Sequence, residues 1–349
     1  MFYRLFRWLN IFLIVVTLLG YLAPYVNPNV VWPVSLLGLA YPWLLLFNLL
    51  FIVAWLIARN RYFLMSLTCV LLGFSHLTNF VGIEFATPAV LPGSIRVMSY
   101  NIYDLRGLPK TEGERSEEKA LSPFWEFLTE AGPFDILCTQ ESGIKSTKKI
   151  AEHLKMPYFH QFPDRGTGII SRYPIINKGQ IDFEKTNNSC IWADIEIDGK
   201  VLRVYSLHLQ SNFISSQASQ IAKEGDLQEK ETWVGIKGIL GKYKHFAGLR
   251  VQQATRVEAH IKGSPHPVIL CGDFNDTPLS KAYHILSENM VDGFQEKGHG
   301  IGTTYGGLIP TLRIDYILHD PRFTVLEYRT FREDYSDHYP VYARLKLYE

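Results

Sequence analysis

The first 83 residues of the chain contain no aspartate, glutamate or lysine. Their only formal charges belong to Arg4, Arg7, Arg59 and Arg61. A water-soluble fold needs charged groups on its surface, whereas lipid excludes them, so this stretch is typical of a membrane anchor. A helix needs about 20 apolar residues to cross the hydrocarbon core. Three stretches approach that length, residues 8–23, 34–57 and 62–82. The sequence therefore predicts an anchor at residues 1–83 with about three transmembrane helices.

The arginines set the expected orientation of this anchor, because basic loops stay on the cytoplasmic side. Two arginines precede the first stretch, two separate the second from the third, and residues 24–33 carry no charge. With three spans, the chain after residue 82 lies outside the cytoplasm, at the periplasmic or outer face of the inner membrane in a bacterium. His76 and Asn79 lie in the third stretch, which leaves open that it is a buried or interfacial helix.

The rest of the chain has a different composition. Residues 84–94 contain prolines and small residues that suit an extended linker, and residues 95–349 form the predicted soluble domain. Removing the four arginines from the 35 basic residues leaves 31 against 34 acidic ones, a formal charge of −3. Proteins that bind DNA regardless of sequence use a basic surface. Bulk charge therefore does not favour that class, although a local basic groove stays compatible with it.

Nine short apolar runs follow residue 94, alternating with loops and helical patterns. They are strand-like in length and in their β-branched content. The runs begin at Ile95, Phe134, Gly168, Cys190, Val201, Pro267, Arg313, Phe323 and Tyr339. Residues 123–131 and 249–261 have helical spacing. This mixture predicts an α/β fold, a sandwich of two sheets covered by helices.

Residues 210–249 separate two of these strands by far more than a normal connection. The second half of this insert combines Trp233, Ile236, Leu240 and Tyr243 with three lysines. Two interpretations are open. The segment is either an amphipathic helix on a bilayer surface or a helix that caps one edge of the sandwich.

Polar residues stand at the ends of the predicted strands, where a rigid scaffold can direct them into one cleft. They are Asn101, Glu141, His208, Asp273, Asn275, Asp315, Asp337 and His338. A single aspartate or asparagine after a strand usually forms a turn. Eight strand ends that share this pattern indicate a site instead.

The chemistry of this set fits hydrolysis of a phosphate ester. A hard cation such as Mg²⁺ neutralises phosphoryl oxygens and prefers carboxylate ligands, which Glu141 and Asp337 can supply. The reaction also needs an activated water and donors to the phosphoryl oxygens, which the remaining aspartate, asparagine and histidine side chains can supply.

The same segments resemble the endonuclease/exonuclease/phosphatase superfamily, which has the deoxyribonuclease-I-like fold. The resemblance rests on SYNI at Asn101, TQES at Glu141, GIISRYPI at 168–175, SLHL at His208, GDFND at Asp273, RIDYIL at Asp315 and SDHYP at Asp337. These segments occur in the family's order, and the resemblance does not reach the first 90 residues. It implies a two-sheet α/β sandwich in a membrane-anchored, bacterial member.

A metal site follows from this resemblance. It implies that Glu141 is the main carboxylate ligand, with Asn101 and Asp337 beside it. Asn101 is also expected to contact the substrate. The implied cation is Mg²⁺, with Mn²⁺ or Ca²⁺ as alternatives.

The resemblance also assigns catalytic roles. Asp273 and Asn275 are expected to orient the attacking water and bind the phosphoryl group. His338 is expected to act as general base or phosphate ligand, held in its tautomer by Asp315. Which of Asp273 and His338 accepts the proton stays open.

Three further residues extend this site. His208 resembles the second active-site histidine of the deoxyribonuclease and sphingomyelinase branches, a donor to the phosphate or leaving group. The abasic-site endonuclease branch lacks a histidine there. Arg250 and Gln253, three apart on a predicted helix, resemble the family's R-x-x-Q element and are expected to support the central strands and loops.

The leading hypothesis is a membrane-anchored, Mg²⁺-dependent phosphodiesterase or phosphatase with nuclease-type activity. The alternative substrate is a phospholipid or a small phosphorylated head group, as in sphingomyelinases. A catalytically dead membrane scaffold is a remote alternative, because the chain retains Glu141, Asp273 and His338. The expected partners are the membrane and a phosphate ester, with no obligate protein partner evident.

Overall fold

The computed structural model describes residues 2–84, 91–106, 114–162, 166–184, 186, 188–211, 230–307 and 311–348. The chain divides into two compact units. The first comprises Met1–Val81, Asn212–Gln252 and Asp276–Ile285, and the second comprises Gly82–Ser211, Gln253–Asn275 and Leu286–Glu349. Two segments of the predicted soluble domain thus belong to the first unit. Positions 85–90 of the predicted linker lie outside the described residues.

The N-terminal part of the first unit is helical. Its helices are α1 (Phe2–Gly20), α2 (Pro28–Leu39), α3 (Tyr41–Ile57), α4 (Phe63–Leu72) and α5 (Phe74–Leu77). The side chain of Asn27 accepts a hydrogen bond from the backbone of Asn29 and caps α2. Proline in the first turn of α2 and of α3 helps to start each helix.

The helix boundaries correct the expectation of three transmembrane helices at residues 8–23, 34–57 and 62–82. Within the described residues, only α1 is by itself long and apolar enough to cross a membrane. Helices α2 and α3 meet that condition together but are bent by 52°. Helix α4 has 10 residues, about 15 Å or half of a hydrocarbon core. The apolar runs are interrupted at Ala40 and Gly73, which hydropathy alone does not register.

Polar side chains lie inside this helical part and bond between helices. Asn10 and Asn48 are fully buried. Asn10 Nδ2 donates to Ser66 Oγ at 2.6 Å, and its Oδ1 accepts from Trp55 Nε1 at 3.0 Å. Asn48 Nδ2 donates to Thr17 Oγ1 at 2.9 Å. Hydrogen bonds therefore join α1 to α3 and to α4.

Large apolar side chains face outward from the same helices. Phe12 is 68% exposed and Leu72 is 69% exposed. Other exposed apolar side chains include Tyr3, Leu5, Trp8, Val15, Phe47, Leu50, Val53, Ile57 and Phe74. The exterior of these helices is thus largely apolar, unlike the polar exterior of a water-soluble helical bundle.

The two ends of α1 have different surroundings. At its start, Arg7 Nη1 donates to the hydroxyl of Tyr62, next to the Arg59 and Arg61 segment. Beyond its end, the rings of Tyr21 and Phe80 both pack against Tyr41. The four arginines therefore belong to one end of the helical part, and the chain leaves from the other end.

Two later segments complete the first unit. One is the start of α8 (Lys230–Lys262), where the hydroxyl of Tyr243 donates to the carbonyl of Ser35 at 3.0 Å. The other is the segment Asp276–Ile285, which includes the start of α9 (Lys281–Ser287). In this segment, Thr277 Oγ1 donates to the carbonyl of Gly38 at 3.4 Å. A Cβ at Gly38 would lie 2.1 Å from the carbonyl oxygen of Leu279, so this approach requires glycine.

The second unit is built on fourteen strands in the described residues. They are β1 (Val81–Ile83), β2 (Ile95–Asn101), β3 (Ile136–Gln140), β4 (Tyr158–Gln161), β5 (Gly168–Ser171), β6 (Ile175–Ile181), β7 (Ser189–Ile197), β8 (Lys200–His208), β9 (Val268–Asp273), β10 (Val291–Asp292), β11 (His299–Ile301), β12 (Asp315–His319), β13 (Phe323–Thr330) and β14 (Val341–Leu347). Beside them lie α6 (Glu114–Ala131), α7 (Ile144–His153) and α10 (Gly293–Lys297).

Twelve of these strands form two six-stranded sheets. The first sheet has the order β13-β14-β2-β3-β5-β4, and the second has the order β10-β12-β9-β8-β7-β6. A parallel pair lies inside each sheet, β2 with β3 and β8 with β9, and the other neighbours are antiparallel. Strands β1 and β11 form a separate two-stranded sheet.

Apolar side chains from both sheets form one core. Val97 and Ile136 of the first sheet pack in one cluster with Ile191 and Ile269 of the second, all with no exposed surface. A second cluster joins the other side of the first sheet to α6 and α7, through residues such as Phe124 and Ile150. The predicted α/β sandwich of two sheets with covering helices is confirmed.

Candidate active site

The carboxyl ends of the two parallel pairs carry the predicted site residues. Asn101 ends β2 and Glu141 follows β3, while His208 ends β8 and Asp273 ends β9. His208 is paired in register with Asp273. Asp315 begins β12, which runs antiparallel to β9 and pairs with Asp273 in register. Parallel strands end at the same edge of a sheet, so the topology explains why distant segments meet.

Asp273 lies at the centre of the arrangement and is 1% exposed. Its Oδ2 accepts from Asn101 Nδ2 and from Asn275 Nδ2, both at 3.0 Å. Its Oδ1 accepts from the backbone nitrogen of Asn275 at 2.8 Å. Since Asn101 belongs to the first sheet and Asp273 to the second, this carboxylate joins the two sheets at the site.

A buried aspartate and histidine pair lies beside Asp273. His338 Nδ1 lies 2.9 Å from Asp315 Oδ2, and His338 Nε2 lies 3.7 Å from Asp273 Oδ2. The Asp315 carboxylate therefore fixes the tautomer and directs the other ring nitrogen toward Asp273. The backbone nitrogens of Ile314 and Asp315 both donate to Thr304 Oγ1.

The charges of this group alter two pKa values. Burial raises the pKa of Asp273 to about 6, although His338 and His208 oppose this shift. Burial alone would lower the pKa of His338. The carboxylates of Asp315 and Asp273 outweigh that effect and raise the pKa of His338 to about 10. At neutral pH this arrangement favours an ionised Asp273 facing a protonated His338.

His208 and Glu141 complete the cleft on the other side of Asp273. His208 Nε2 lies 3.6 Å from Asp273 Oδ2 and 3.8 Å from Glu141 Oε1. This nitrogen is buried and has no hydrogen-bond partner among the described residues. The side chain of Glu141 is 36% exposed, and its Oε1 accepts from Asn101 Nδ2 at 3.2 Å. A buried, unpaired imidazole nitrogen beside carboxylates suits a ligand that brings its own acceptor or charge.

Among the described residues, Asp337 bonds to Ser336 and Gly306 and not to Glu141. Its Oδ1 is 3.4 Å from Ser336 Oγ, and its backbone carbonyl accepts from Gly306. Its charge is one of those that raise the pKa of the adjacent His338. Asn101 offers its amide nitrogen to Glu141 and Asp273, while its Oδ1 accepts from the backbone of Tyr103. Metal ligation by Glu141, Asn101 and Asp337 stays a prediction.

One group of potential metal ligands is tight in the described part of the chain. Ligand atoms of Asp273, Asp315 and His338 all lie within 4.8 Å of one another. Asp315 and His338 already bond to each other. We therefore interpret the three residues as two carboxylates that compensate one imidazolium, and not as a metal-ligand set. Carboxylates near the unpaired His208 nitrogen match the oxygen and nitrogen donors that divalent cations use. The residues present therefore fit a divalent cation in the cleft.

Backbone strain occurs at two site residues. Glu141 has φ of 48° and Asn275 has φ of 52°, both in the left-handed region. Glutamate rarely adopts this conformation, and such strain is concentrated at functional sites. Next to them, Gly272 has no room for a side chain, because a Cβ there would lie 2.0 Å from the carbonyl oxygen of Leu207. The strand end that carries Asp273 is thus closely fitted to β8.

Arg250 and Gln253, the predicted supporting residues, contact residues that follow His208 and Asn275 in the sequence. Gln253 Oε1 accepts from the backbone nitrogen of Gln210 at 2.8 Å, two residues after His208. Arg250 is fully buried, and its Nε donates to Asp276 Oδ2 at 2.9 Å. Asp276 directly follows Asn275 in the sequence. Both contacts are consistent with the predicted support of strand ends and loops.

Sequence reasoning missed the hydroxyl group of Ser336. Ser336 Oγ donates to the carbonyl of Asn101 at 2.8 Å and accepts from the backbone nitrogen of His338 at 3.2 Å. The Gly-rich segment of Thr304 has two interpretations from sequence, a lining of the cleft or, as the favoured account, a plain loop; the Thr304 side chain is fully buried and accepts from the backbone of Asp315. The ring of Tyr305 packs against that of His338, with 5.2 Å between the ring centroids. The signal available was position alone, since Ser336 precedes the Asp337 and His338 pair.

Two family profiles match the sequence. The profile of the endonuclease/exonuclease/phosphatase family matches residues 98–338, a range that contains every predicted site residue. A domain of unknown function, DUF8431, matches residues 3–80. None of the curated protein sequences matches the chain significantly.

Many solved structures share the fold. A mannosyl-6-phosphatase of Bacteroides thetaiotaomicron is 21% identical, with a TM-score of 0.51 over 73% of this chain and 100% of its own. D. rerio TDP2 complexed with a single-strand DNA product is 16% identical, with a TM-score of 0.51 over 73% and 99%. The catalytic domain of human Nocturnin, with bound sulfate, is 19% identical, with a TM-score of 0.52 over 75% and 97%. At these identities the likeness is one of fold.

Proposed function

Because the chain belongs to the endonuclease/exonuclease/phosphatase family, we propose that it is a divalent-metal-dependent hydrolase of phosphate ester bonds held in a membrane by its N-terminal helices. The single observation that carries the catalytic part is the buried group of Asp273, Asp315 and His338. An unpaired charge in a protein interior is costly. A buried group with two carboxylates and one imidazole is retained where chemistry needs it.

The proton roles follow from the pKa directions. Asp273 is the group that accepts the proton of the attacking water, because its pKa of about 6 leaves it ionised yet basic near neutral pH. His338 is the cationic donor to a phosphoryl oxygen, because Asp315 and Asp273 hold it protonated. Of the two residues that the sequence left open for this role, we therefore propose Asp273 as the base. Asn275 fixes the Asp273 carboxylate through two hydrogen bonds.

The second side of the cleft suits the leaving group and the cation. Glu141, with Asn101 and Asp337, is the proposed carboxylate and amide set for Mg²⁺. When bound, the cation supplies positive charge to the phosphoryl and leaving oxygens. His208 offers its unpaired Nε2 to an oxygen of the ester. Asn101 donates to both Glu141 and Asp273 and so fixes the positions of these two carboxylates relative to each other.

The proposed membrane anchoring is supported by the distribution of polarity in the helical part. Asn10 and Asn48 are buried and bonded between helices, whereas Phe12 and Leu72 point outward. In water this pattern would expose a large apolar surface. In lipid the same pattern is favourable, because the solvent is apolar and Asn10 and Asn48 bond to polar groups of neighbouring helices.

The proposed orientation places the catalytic domain outside the cytoplasm. Arg4 and Arg7 precede α1, and basic residues stay on the cytoplasmic side. The chain leaves the helical part beside Tyr41, at the other end of α1 from these arginines. Helix α3 leads the chain back to the arginine end and α4 with α5 returns it, so the proposed orientation depends on the position of Phe80 and not on α1 alone.

Two substrate classes compete for this site. One is nucleic acid and the other is a phospholipid or small phosphorylated head group. The similar structures include one named as a mannosyl-6-phosphatase and one holding a single-strand DNA product, so the likeness of fold does not choose between the two classes. The proposed membrane position and the formal charge of −3 after residue 83 favour the head-group class.

The test compares both classes in one preparation. The full chain in lipid nanodiscs is given single-stranded DNA, RNA, or vesicles of phospholipid, each with Mg²⁺ and with EDTA. Release of phosphorylated head groups that requires Mg²⁺ supports the favoured class. Release of nucleotides instead would support the proposed hydrolase activity but would make nucleic acid the substrate class. Equal release by wild type and by the Asp273→Asn chain would refute the site.

A further inference from the structure

The chain passes from the first unit into the second at Gly82. This glycine is the last residue of the third apolar stretch, 62–82, and the structure places it in strand β1 and in the second unit. Strand β1 pairs with β11 in a separate two-stranded sheet. Because β11 also belongs to the second unit, the first residues after the helical part are built into the unit that carries the candidate site.

The contact of β1 with the start of β11 is close. A Cβ at Gly82 would lie 2.2 Å from the carbonyl oxygen of Gly298, so this approach requires glycine. The same oxygen accepts from the backbone nitrogen of Glu84 at 3.2 Å. Lys297 Nζ, at the end of α10, donates to Glu84 Oε2 at 3.1 Å. The strand that follows the helical part is thus fitted against the junction of α10 and β11.

Residues 302–306 follow β11 directly and contact the start of β12, which carries Asp315. Thr304 is fully buried, and its Oγ1 accepts from the backbone nitrogens of Ile314 at 2.9 Å and Asp315 at 3.0 Å. Its backbone nitrogen donates to the carbonyl of Leu312 at 2.8 Å. These three bonds fix the backbone that carries the Asp315 carboxylate.

The segment after β11 also bonds to the chain that carries His338. The carbonyl of Thr304 accepts from the backbone nitrogen of Tyr339 at 2.7 Å. Tyr305 forms an antiparallel β-bridge with His338, and its ring packs against the imidazole. The residues that follow β11 therefore hold both partners of the buried pair, His338 on one side and Asp315 on the other.

Helix α10 reaches the same place through a buried ion pair. Asp292 caps α10 by accepting from the backbone nitrogen of Phe294 at 2.9 Å. Both oxygens of the Asp292 carboxylate accept from Arg313, at 3.1 and 2.7 Å. Arg313 lies two residues before Asp315. The elements on either side of Gly298 thus reach the Asp315 strand by two routes, one through α10 and one through β11.

We infer that Gly82 and Glu84 are positioning residues for the proposed active site. They restrain β11, and through residues 302–306 they restrain the Asp315 and His338 pair. A displacement of about 1 Å near a reacting centre can cost about a hundredfold in rate. The inference rests on the proposed hydrolase function. It adds that the strand leaving the helical part is a component of the catalytic fold rather than a passive linker.

Single-methyl substitutions in the full chain test this positioning role. Gly82→Ala places a Cβ against the Gly298 carbonyl and should separate β1 from β11. The matched control Gly179→Ala crowds an edge strand of the second sheet, β6, where a Cβ would lie 2.7 Å from the Trp192 ring. Each chain in nanodiscs is measured for kcat and KM on bis-p-nitrophenyl phosphate with Mg²⁺, for thermal unfolding, and for amide hydrogen exchange by mass spectrometry.

A second pair of variants removes one hydrogen bond instead of adding a methyl group. Glu84→Pro removes the backbone donor to Gly298. Glu84→Gln keeps that donor and removes only the charge from a partly exposed ion pair with Lys297, which contributes little. We expect lower kcat in Glu84→Pro and wild-type kcat in Glu84→Gln. This pair decides the question if Gly82→Ala does not fold.

The expected result for Gly82→Ala is a loss of about tenfold or more that falls mainly on kcat. Exchange should become faster at the amides of Thr304, Ile314 and Asp315. A role confined to stability would lower Tm and leave the kcat of the folded fraction unchanged. Gly179→Ala should keep both kcat and the exchange of these amides at wild-type levels.

Wild-type kcat in folded Gly82→Ala overturns the inference, whether or not the exchange of residues 302–306 changes. An equal loss of kcat in Gly179→Ala also overturns it. Wild-type turnover no higher than that of Asp273→Asn refutes the hydrolase function instead. In that case the exchange at Thr304 and Asp315 still decides whether β1 restrains the segment.

Discussion

The helical part of the first unit and the sandwich of the second unit bury polar groups in different ways. In the helical part the buried polar groups are neutral, such as Asn10, Asn48 and Ser66, and they bond one helix to another. In the sandwich they include ions, such as Arg313 and Asp292, whose side chains are both 1% exposed. Among the described residues, the helical part has four arginines near one end and buries none of them, while the sandwich buries ions in pairs.

This difference in buried polar groups follows from the proposed surroundings, which are lipid for the helical part and water for the sandwich. A folded domain in water gains from burying apolar surface, so its core is apolar and its few buried ions are paired. Helices in lipid gain nothing from hiding apolar surface and are held by packing and by polar contacts. The proposed catalytic group of Asp273, Asp315 and His338 resembles the paired ions of the sandwich, since it is charged, buried and internally compensated.

The largest expected effect concerns the charged group of the sandwich. Asp273→Asn and His338→Ala should each lower kcat/KM by about a thousandfold or more, because each removes a group that acts in proton transfer or on the phosphoryl oxygen. Circular dichroism and thermal unfolding check that the fold survives. The matched control is Asp320→Asn, a substitution of a half-buried aspartate outside the site. Near-normal turnover in either site variant would contradict the proposed roles.

The second prediction concerns the buried ion pair that has no catalytic role. Arg313→Ala leaves Asp292 buried without its bidentate partner, and we expect it to lower the free energy of unfolding by about 3–5 kcal/mol. Chemical denaturation followed by tryptophan fluorescence measures this loss. Replacing both members by apolar residues should recover much of it. If the single variant lost nothing, ion pairing would not distinguish the sandwich from the helical part.

The third prediction tests the exterior of the helical part. Phe12→Lys places a charge on a side chain that is 68% exposed, near the middle of α1. In lipid this should cost about 2.5–3.5 kcal/mol and reduce the membrane-inserted fraction. The control is Ile176→Lys, at a position 53% exposed on strand β6, where a surface change should stay within about 0.5 kcal/mol. Equal tolerance of both substitutions in membrane fractionation would show that α1 faces water.

The fourth prediction is the pH dependence of turnover. Asp273 must be ionised to accept a proton, and burial raises its pKa to about 6. The rate should therefore fall as pH drops below that value, by about tenfold per unit, while His338 stays protonated throughout this range. A cation bound beside the carboxylate moves the fall to lower pH, so profiles at low and saturating Mg²⁺ should differ in that direction. A rate that rose on acidification would contradict the assignment of Asp273.

Sequence patterns located most of the sandwich. All nine predicted apolar runs contain strands, because strands that are buried on both faces are short apolar runs rich in β-branched residues. The missed strands β4 and β6 lie at sheet edges. Strand β6 reads IINKGQI and exposes most of its residues, so it has no buried face for hydropathy to reveal. Strands β10 and β11 have two and three residues, too few for any periodicity.

Sequence reasoning located the site residues whose side chains are carboxylates, amides or imidazoles at strand ends. Asn101, Glu141, His208, Asp273 and Asp315 meet at neighbouring strand ends. Sequence reasoning missed the hydroxyl of Ser336 and preferred a plain loop at Thr304, because serine and threonine in turns are common and only the folded contacts distinguish them. The number of spans was wrong for a related reason. Mean hydropathy reports composition, whereas the bend between α2 and α3 depends on backbone direction.

The central claim is metal-dependent hydrolysis at the Asp273 and His338 site, and metal depletion tests it most directly. The full chain in nanodiscs is freed of metal with EDTA and assayed on a generic phosphodiester, then again after addition of Mg²⁺. We expect no turnover without metal, restoration by Mg²⁺, and no restoration in the Asp273→Asn chain. Turnover that resists EDTA, or that the Asp273→Asn chain recovers with Mg²⁺, would contradict the account.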